Sequence, residues 1–221
     1  MKKNTLKAIL ISIANCLLLT ANCFSQCMMR EIPLEQRVIE SNLVVEGKVL
    51  SKQSYWDAGH KMIYTSNTIE VYKIFKGSLS ASTIELLTEG GTVGNYLQKF
   101  DPSLNLEIDE VGIFTCIPPV RYNISPNHPV SALKFEAYAS AQGFIQYNQT
   151  DISAFDAFRT YPSITGLYNR VLQTSNVSKW SDVKFFDANS LAGNGADEPL
   201  FLAVVADRVP RGVDPAVQRG V

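Results

Sequence analysis

The chain has 221 residues, enough for one good-sized domain, and its 46% hydrophobic content is that of an ordinary globular protein. Its 20 lysines and arginines nearly balance its 21 aspartates and glutamates, so its charge gives no basis for binding nucleic acid. Beyond residue 25, no segment has the roughly 20 consecutive apolar residues that a helix needs to cross a bilayer. The composition therefore predicts a protein without a stable membrane span and without a nucleic-acid partner.

Residues 1–25 have the layout of a secretory signal peptide. Three lysines within the first seven residues form a positive end, and a short apolar segment follows at 8–19. Ser25 stands where a signal peptidase requires a small residue. We therefore expect a mature chain that begins at Gln26 and is secreted or held at the cell surface.

The cysteines predict one disulfide in the mature chain. Two of the four leave with the signal peptide, and Cys27 and Cys116 remain. In an oxidising compartment two cysteines most simply pair, so we expect a Cys27–Cys116 bridge, with two free thiols as the alternative. An early cysteine can also carry a lipid anchor. However, neither Asn22 before Cys23 nor Gln26 before Cys27 is the small residue that lipidation expects.

The mature chain begins with a predicted short helix and then takes the period of a β-strand. Residues 33–41 start with a proline and carry apolar residues on one face, which is typical of a helix. In residues 43–49 apolar and polar residues alternate, so Glu46 points away from the predicted core face. The polar segment 51–61 is expected to connect this strand to the next.

Four more strands are predicted before residue 118. The first is long, from 63 to 75, and must coil or bulge as barrel strands do. Its predicted inner face consists of Ile63, Thr65, Ile69, Val71 and Phe75. The other strands are expected at 83–88, 104–108 and 111–117, with a glycine turn or bulge at 90–94. Five short strands at this spacing predict a mainly β fold, a small antiparallel barrel or sandwich.

The remaining residues are expected to form an extension and a tail. Two prolines end the strand pattern at residue 118, and residues 118–194 are predicted to pack on the barrel. This extension contains an extended stretch at 143–147 and a helix near 163–173, so the fold has one or two short helices. Residues 195–221 contain no Ile, Asn, Ser, Thr, Tyr or Lys. They are either a disordered linker or a tail that is not the native continuation of the family.

The segments at 43–49, 64–77 and 84–88 resemble the OB barrel of netrin modules and metalloproteinase inhibitors. There too, a Val-Val-x-Gly-Lys-Val strand leads to a strand that ends in Phe-Lys-Gly, here Phe75-Lys76-Gly77. The resemblance covers residues 27–117 and implies a small antiparallel five-stranded OB-like barrel. It also implies one activity, protease inhibition, in which a mature N-terminal cysteine, here Cys27, lies across the zinc ion of the target.

Two other segments, 88–94 and 142–147, are similar to recurring segments in the N-terminal region of large bacterial secreted multidomain proteins. Such proteins continue into immunoglobulin-like repeats, protease-like domains and a C-terminal sorting domain. The resemblance implies an extracellular bacterial protein. It further implies that this chain is an amino-terminal fragment or a shortened relative, with those downstream domains absent.

The sequence contains no pattern that identifies a catalytic or metal site. His60 and His128 are the only histidines, and both stand in polar or proline-rich stretches where we expect surface loops. A Gly-x-Ser-x-Gly nucleophile turn is absent, and the glycines at 90–94 lack the lysine of a phosphate-binding loop. We therefore assign no catalytic residue, no metal ligand and no cofactor.

Four aromatic residues are the best candidates for a recognition surface. Tyr55, Trp56 and Tyr64 border the polar segment at 51–61, and Tyr96 follows the glycine turn. Aromatic side chains on barrel loops offer a large contact area at little cost in conformational entropy. The alternative is that these side chains cap the end of the barrel.

Three functions are weighed on this basis. The first is a secreted, non-catalytic binding or accessory module with an unknown protein or glycan ligand. The second is a protease inhibitor that uses Cys27, although Gln26 would precede the cysteine and the dense disulfide framework of such inhibitors is missing. The third is a hydrolase with an unrecognised site, for which no residue gives positive evidence.

Overall fold

The structure is a computed structural model that describes residues 29–129 and 133–193. Within that part of the chain the fold is mainly β, as predicted. In chain order the elements are α1 (Leu34–Glu40), β1 (Leu43–Trp56), β2 (Ile63–Lys76), β3 (Thr83–Glu89), β4 (Gly91–Val93), β5 (Tyr96–Gln98), β6 (Val111–Ile117), β7 (Lys134–Ala137), β8 (Phe144–Tyr147), β9 (Ala154–Phe155), β10 (Thr160–Tyr161), α2 (Ile164–Ser175) and β11 (Ser181–Asp182), with short 3₁₀-helices at Ser140–Gly143 and Ala188–Gly193. The predicted signal peptide, Cys27 and the tail at 195–221 lie outside the described residues. None of the described helices is long and apolar enough to cross a membrane.

Nine of the described strands form one sheet in the order β1-β2-β3-β7-β6-β8-β9-β10, with β11 beside β2. The strands pair antiparallel except for β3 and β7, which run parallel. Because β6 also pairs with β1, strands β1, β2, β3, β7 and β6 curl into a partial ring. β4 and β5 form a separate hairpin. The domain boundary at residue 117 stays a prediction, although β7 and β8 of the extension join the same sheet as β6.

The two long strands curve because their pairing contains three register shifts. One shift lies just after Glu46, where Tyr72 has no partner across the ladder. The extra residue places Tyr72 and Lys73 on the same face, and both side chains contact Phe186. Phe75 therefore faces the helices and not the inside of the ring. The predicted inner face of β2 is wrong at Phe75 for this reason.

Two hydrophobic cores lie on opposite faces of the curved sheet. The inner core fills the ring with side chains from β1, β2, β3 and β6, together with two leucines from a loop, Leu104 and Leu106. The helix-side core packs α1 and α2 against the outer face. α2 is capped by Ser163, whose hydroxyl accepts a hydrogen bond from the Gly166 N–H, and it ends at Asn176 in the left-handed conformation.

The predicted helices and most of the predicted strands are confirmed, with boundaries within two residues except at the end of β1, which is predicted at 49 and lies at Trp56. The strand predicted at 104–108 is wrong, because Leu104 and Leu106 belong to a loop that inserts them into the inner core without strand pairing. The polar connection at 51–61 is shorter than predicted, because β1 continues along β2 as far as Trp56.

Candidate functional site

A cleft of about 600 Å³ opens beside the ends of β1, β2 and β3. These strands form one part of its wall, and the β4–β5 hairpin and the loop at 99–105 form the other. The second part supplies three apolar side chains, Leu97, Phe100 and Leu104. Leu104 also belongs to the inner core, so the cleft lies directly on the packed interior of the ring.

Three hydroxyl groups cross the strand wall in a line. Ser54 pairs with Thr65 across β1 and β2, and Thr65 pairs with Thr88 across β2 and β3. We call these three side chains the hydroxyl row. The Ser54 and Thr65 hydroxyl oxygens are 2.9 Å apart, and the Thr65 hydroxyl donates to the Gly90 carbonyl over 2.7 Å. The Thr92 N–H donates to the Ser54 hydroxyl over 3.3 Å, so the row holds the first strand of the hairpin in place.

Glycine is required where the hairpin meets the hydroxyl row. Gly91 has a φ of +137°, and a Cβ atom there would overlap the hydroxyl oxygens of both Ser54 and Thr65. Gly90 and Gly94 also have positive φ angles. The prediction of a turn or bulge at 90–94 is correct only in part, because Gly91–Val93 form β4 and the hairpin turn lies at 94–95. The close approach of Gly91 to the hydroxyl row forms one edge of the cleft.

A buried amide lies behind the hydroxyl row. Asn67 is 0% exposed, and its side-chain N–H groups donate to the Leu86 carbonyl over 2.9 Å and to the Thr88 hydroxyl over 3.1 Å. Its Oδ1 atom has no hydrogen-bond partner in the described part of the chain. A buried acceptor without a partner is uncommon in folded proteins, and here it stands one side chain away from the cleft.

The charges that line the cleft balance. Lys52 and Lys99 are its cations, and Glu89 and Asp101 are its anions. Lys52 forms an ion pair with Glu107 over 3.3 Å, and Glu89 forms one with an arginine outside the cleft over 3.2 Å. The cleft therefore presents no net attraction to a ligand of either sign.

The structure separates the four predicted aromatic residues into two pairs. Trp56 and Tyr96 meet edge to face with their ring centres 5.5 Å apart, and the Tyr96 side chain is 65% exposed. They lie at the β4–β5 hairpin, whose Leu97 lines the cleft. Tyr55 and Tyr64 stack instead at 5.8 Å, and Tyr64 is buried. None of the four lines the cleft: Tyr96 is exposed on the hairpin strand that supplies Leu97, and Tyr64 is buried.

His128 is buried, which corrects the expectation that it lies in a surface loop. Its Nε2 atom meets the Glu85 carboxylate, and its Nδ1 atom is 3.0 Å from the Tyr64 hydroxyl. The Ser66 hydroxyl donates to the same carboxylate over 3.0 Å. None of these four residues lines the cleft. The cluster ties the loop around His128 to β2 and β3, while His60 remains exposed as expected.

No group of three or more His, Cys, Asp or Glu side chains within residues 29–129 and 133–193 is arranged to hold a metal ion. Cys116 is buried in the inner core and has no disulfide partner there. Its predicted partner, Cys27, lies outside the described residues, so the bridge stays a prediction. The inhibitor hypothesis depends on the same cysteine and stays a prediction too.

Iodoacetamide is expected to leave Cys116 unmodified in the folded chain. The side chain has no solvent exposure, and burial raises the pKa of its thiol, so the reactive thiolate is scarce. After unfolding without a reductant, the mass added by alkylation distinguishes a free Cys116 from one bridged to Cys27. Rapid modification of Cys116 in the folded chain would contradict its position in the inner core.

No family model matches this chain, and no curated protein matches it either.

Proposed function

We propose that this chain is a secreted, non-catalytic binding or accessory module of an extracellular bacterial protein, and that its ligand enters the cleft beside Trp56 and Tyr96. The cleft itself carries this proposal. Its volume of about 600 Å³ lies within the range of small-ligand sites, roughly 300–1,000 Å³. Tyr96 is exposed on the hairpin that borders the cleft, and we propose it as a contact for the part of a ligand that extends out of the cleft.

We further propose that the partial ring is an OB-type five-stranded barrel. Support comes from the circuit β1-β2-β3-β7-β6, which returns to β1, and from the single parallel pair that completes it. OB barrels bind oligonucleotides and oligosaccharides on one sheet face and on the loops around it. The cleft occupies a comparable place, between the ends of three ring strands and a hairpin inserted between β3 and β6.

Binding, and not catalysis, is the function that the cleft chemistry favours. A serine or threonine nucleophile needs a neighbouring base to take its proton. The hydroxyl row is bonded instead to its own members, to backbone groups and to the Asn67 amide. No histidine or carboxylate of the described residues bonds to it, so these hydroxyls serve to hold structure and to contact a ligand.

Alanine at both Trp56 and Tyr96 is expected to weaken binding about tenfold, since each aromatic contact is worth roughly 0.5–1.5 kcal/mol. The probe is size-fractionated extracellular material from a bacterial culture, added to the isotope-labelled full chain. In the unaltered protein, saturable changes in amide NMR shifts are expected at 90–105.

Phe185→Ala is the matched control, because Phe185 is an exposed aromatic residue that does not line the cleft. This variant is expected to bind as the unaltered protein does. Shift changes confined to another surface, or consumption of the added material, would overturn the proposal of a binding module at this cleft.

A further inference from the structure

The hydrogen-bonding groups that line the cleft restrict the chemistry of a ligand. The ligand class inferred from them rests on the proposed binding function. We propose that the cleft binds an uncharged oligosaccharide, whose hydroxyl groups donate hydrogen bonds to the hydroxyl row. Three independent features of the cleft lead to this ligand class. They are the unused acceptor atoms of the hydroxyl row, the balance of charge and the three apolar side chains of the hairpin and loop.

Ser54 and Thr65 have acceptor capacity left but no proton to give. A hydroxyl group has one proton and two lone pairs. The Thr65 hydroxyl donates its proton to the Gly90 carbonyl, so the 2.9 Å contact with Ser54 must use the Ser54 proton. The Ser54 oxygen also accepts from the Thr92 N–H. Each of the two oxygens is therefore left with one unused lone pair.

Thr88 continues the same pattern. The Thr88 hydroxyl donates to the Thr65 carbonyl over 3.5 Å and accepts from the Asn67 amide over 3.1 Å, which leaves one lone pair. Asn67 Oδ1 also has no partner among the described residues, but it lies buried behind the row and does not line the cleft. The strand wall thus offers acceptors, and a suitable ligand must bring hydrogen-bond donors.

This requirement disfavours anionic ligands and peptides. Phosphates, sulfates and carboxylates bring only acceptor atoms, so their oxygen lone pairs would face and repel the lone pairs of the hydroxyl row. A peptide brings one carbonyl acceptor for each N–H donor, and the row has no protons for those carbonyls. A sugar hydroxyl can donate to the row while its own oxygen stays turned toward water.

The charge and shape of the cleft favour an uncharged donor. An ammonium group would also supply protons, but the two cations of the lining cancel its two anions. The hairpin and the loop at 99–105 supply Leu97, Phe100 and Leu104, which stand among polar side chains of the same wall. A pyranose ring has a hydroxyl edge and a face of C–H groups, so its edge can bond to the row while its face covers these three apolar side chains.

Isothermal titration calorimetry on the full chain tests the proposal with defined probes. The neutral probes are hexasaccharides of β-linked glucose, α-linked glucose, xylose, mannose and N-acetylglucosamine. The comparison probes are hexagalacturonate, hexalysine and an uncharged hexapeptide of glycine and serine. Saturable binding of at least one neutral hexasaccharide is expected, with micromolar to millimolar affinity, whereas the comparison probes should not bind in the cleft.

Two variants locate the binding. Thr88→Val keeps the shape of the side chain, removes one acceptor and is expected to weaken the affinity for that hexasaccharide about tenfold. Ser103→Trp fills the cleft from its loop wall and is expected to abolish binding, which provides a test if Thr88→Val fails to fold. Thr83→Val makes the same change on the same strand outside the cleft and should bind as the unaltered protein does.

The outcomes separate this proposal from the one on which it rests. If no neutral hexasaccharide binds, or if its binding survives Ser103→Trp, the carbohydrate assignment is overturned. The binding module itself still stands if the extracellular fraction or a comparison probe shifts the amides at 90–105. If neither the fraction nor any probe shifts those amides, both proposals fail.

Discussion

Replacing Lys73 by methionine is expected to destabilise the fold by about 3–5 kcal/mol, the usual cost of removing one partner of a buried ion pair. Lys73 on β2 pairs with Glu46 on β1, whose side chain is wholly buried in the helix-side layer. The Glu46 carboxylate also accepts hydrogen bonds from the Tyr147 hydroxyl, over 2.8 Å, and from the Tyr168 hydroxyl of α2. Without the lysine, a carboxylate charge would remain buried with only neutral donors around it. Urea unfolding followed by circular dichroism measures the change.

Two further variants show whether the unpaired charge causes the loss. Lys73→Met combined with Glu46→Gln removes both charges and is expected to recover part of the lost free energy of unfolding. Lys184→Met breaks the exposed ion pair with Glu70 and is expected to cost at most about 1 kcal/mol. If Lys73→Met lowers the free energy of unfolding no more than Lys184→Met does, the Lys73–Glu46 ion pair does not stabilise the helix-side layer.

Replacing Asp156 by asparagine is expected to lower the free energy of unfolding by about 3 kcal/mol or more at neutral pH, because it leaves Arg37 of α1 buried without its counter-ion. The Arg37 guanidinium and the Asp156 carboxylate are 2.5 Å apart, and both side chains are 2% exposed. Arg37 also donates to the Gln142 carbonyl and to the Tyr161 hydroxyl. This one side chain therefore links the first helix to the extension that follows the ring.

The same variant is expected to remove much of the sensitivity of the fold to acid. Burial acts to raise the pKa of Asp156, but hydrogen bonds from the Phe158 N–H and from Arg37 outweigh it and hold the pKa below its ordinary value of 3.8. A depressed pKa stabilises the fold at pH values above 3.8, and that contribution is lost as the pH falls through the folded-state pKa.

Urea midpoints measured from about pH 2 to about pH 7 are expected to fall steeply toward acid pH in the unaltered protein. In Asp156→Asn the midpoint is expected to change less over the same acid range. Asp151→Asn is the matched control, since Asp151 is an exposed aspartate of the same segment whose pKa is lowered only by local hydrogen bonds with Ser153 and not by a buried ion pair. It is expected to retain the steep loss of stability in acid. If the midpoint of Asp156→Asn falls as steeply in acid as that of the unaltered protein, other carboxylates cause the acid sensitivity.

Local patterns were enough to predict most elements of this fold, because alternating apolar residues and helical spacing are visible within a few residues. They failed where a distant partner decides the outcome. Glu46 alternates like an outward-facing strand residue, yet the hydroxyls that bury its carboxylate come from Tyr147 and Tyr168, more than one hundred positions away. Leu104 and Leu106 alternate like a strand but enter the inner core from a loop.

The candidate site shows the same limit. Trp56 and Tyr96 could be proposed from sequence because large aromatic residues near predicted turns are conspicuous. The hydroxyl row could not, since serine and threonine are common and only the register of three strands brings Ser54, Thr65 and Thr88 into line. To find that row from sequence, one would have to know the register shifts between β1 and β2 in advance, and no pattern of residue types marks them.

The β4–β5 hairpin is fastened to the ring at several points. Its first strand is held by the hydroxyl row, the Gly90 N–H donates to the Ile63 carbonyl over 2.9 Å, and the Gln98 side chain accepts from the Ile63 N–H over 2.6 Å. A wall fixed in this way is preorganised, so a ligand does not have to order a loose loop at a cost in conformational entropy. Discrimination among ligands would then come from the rigid outline of the cleft, and a single substitution on the hairpin could change the preferred ligand while both cores stay intact.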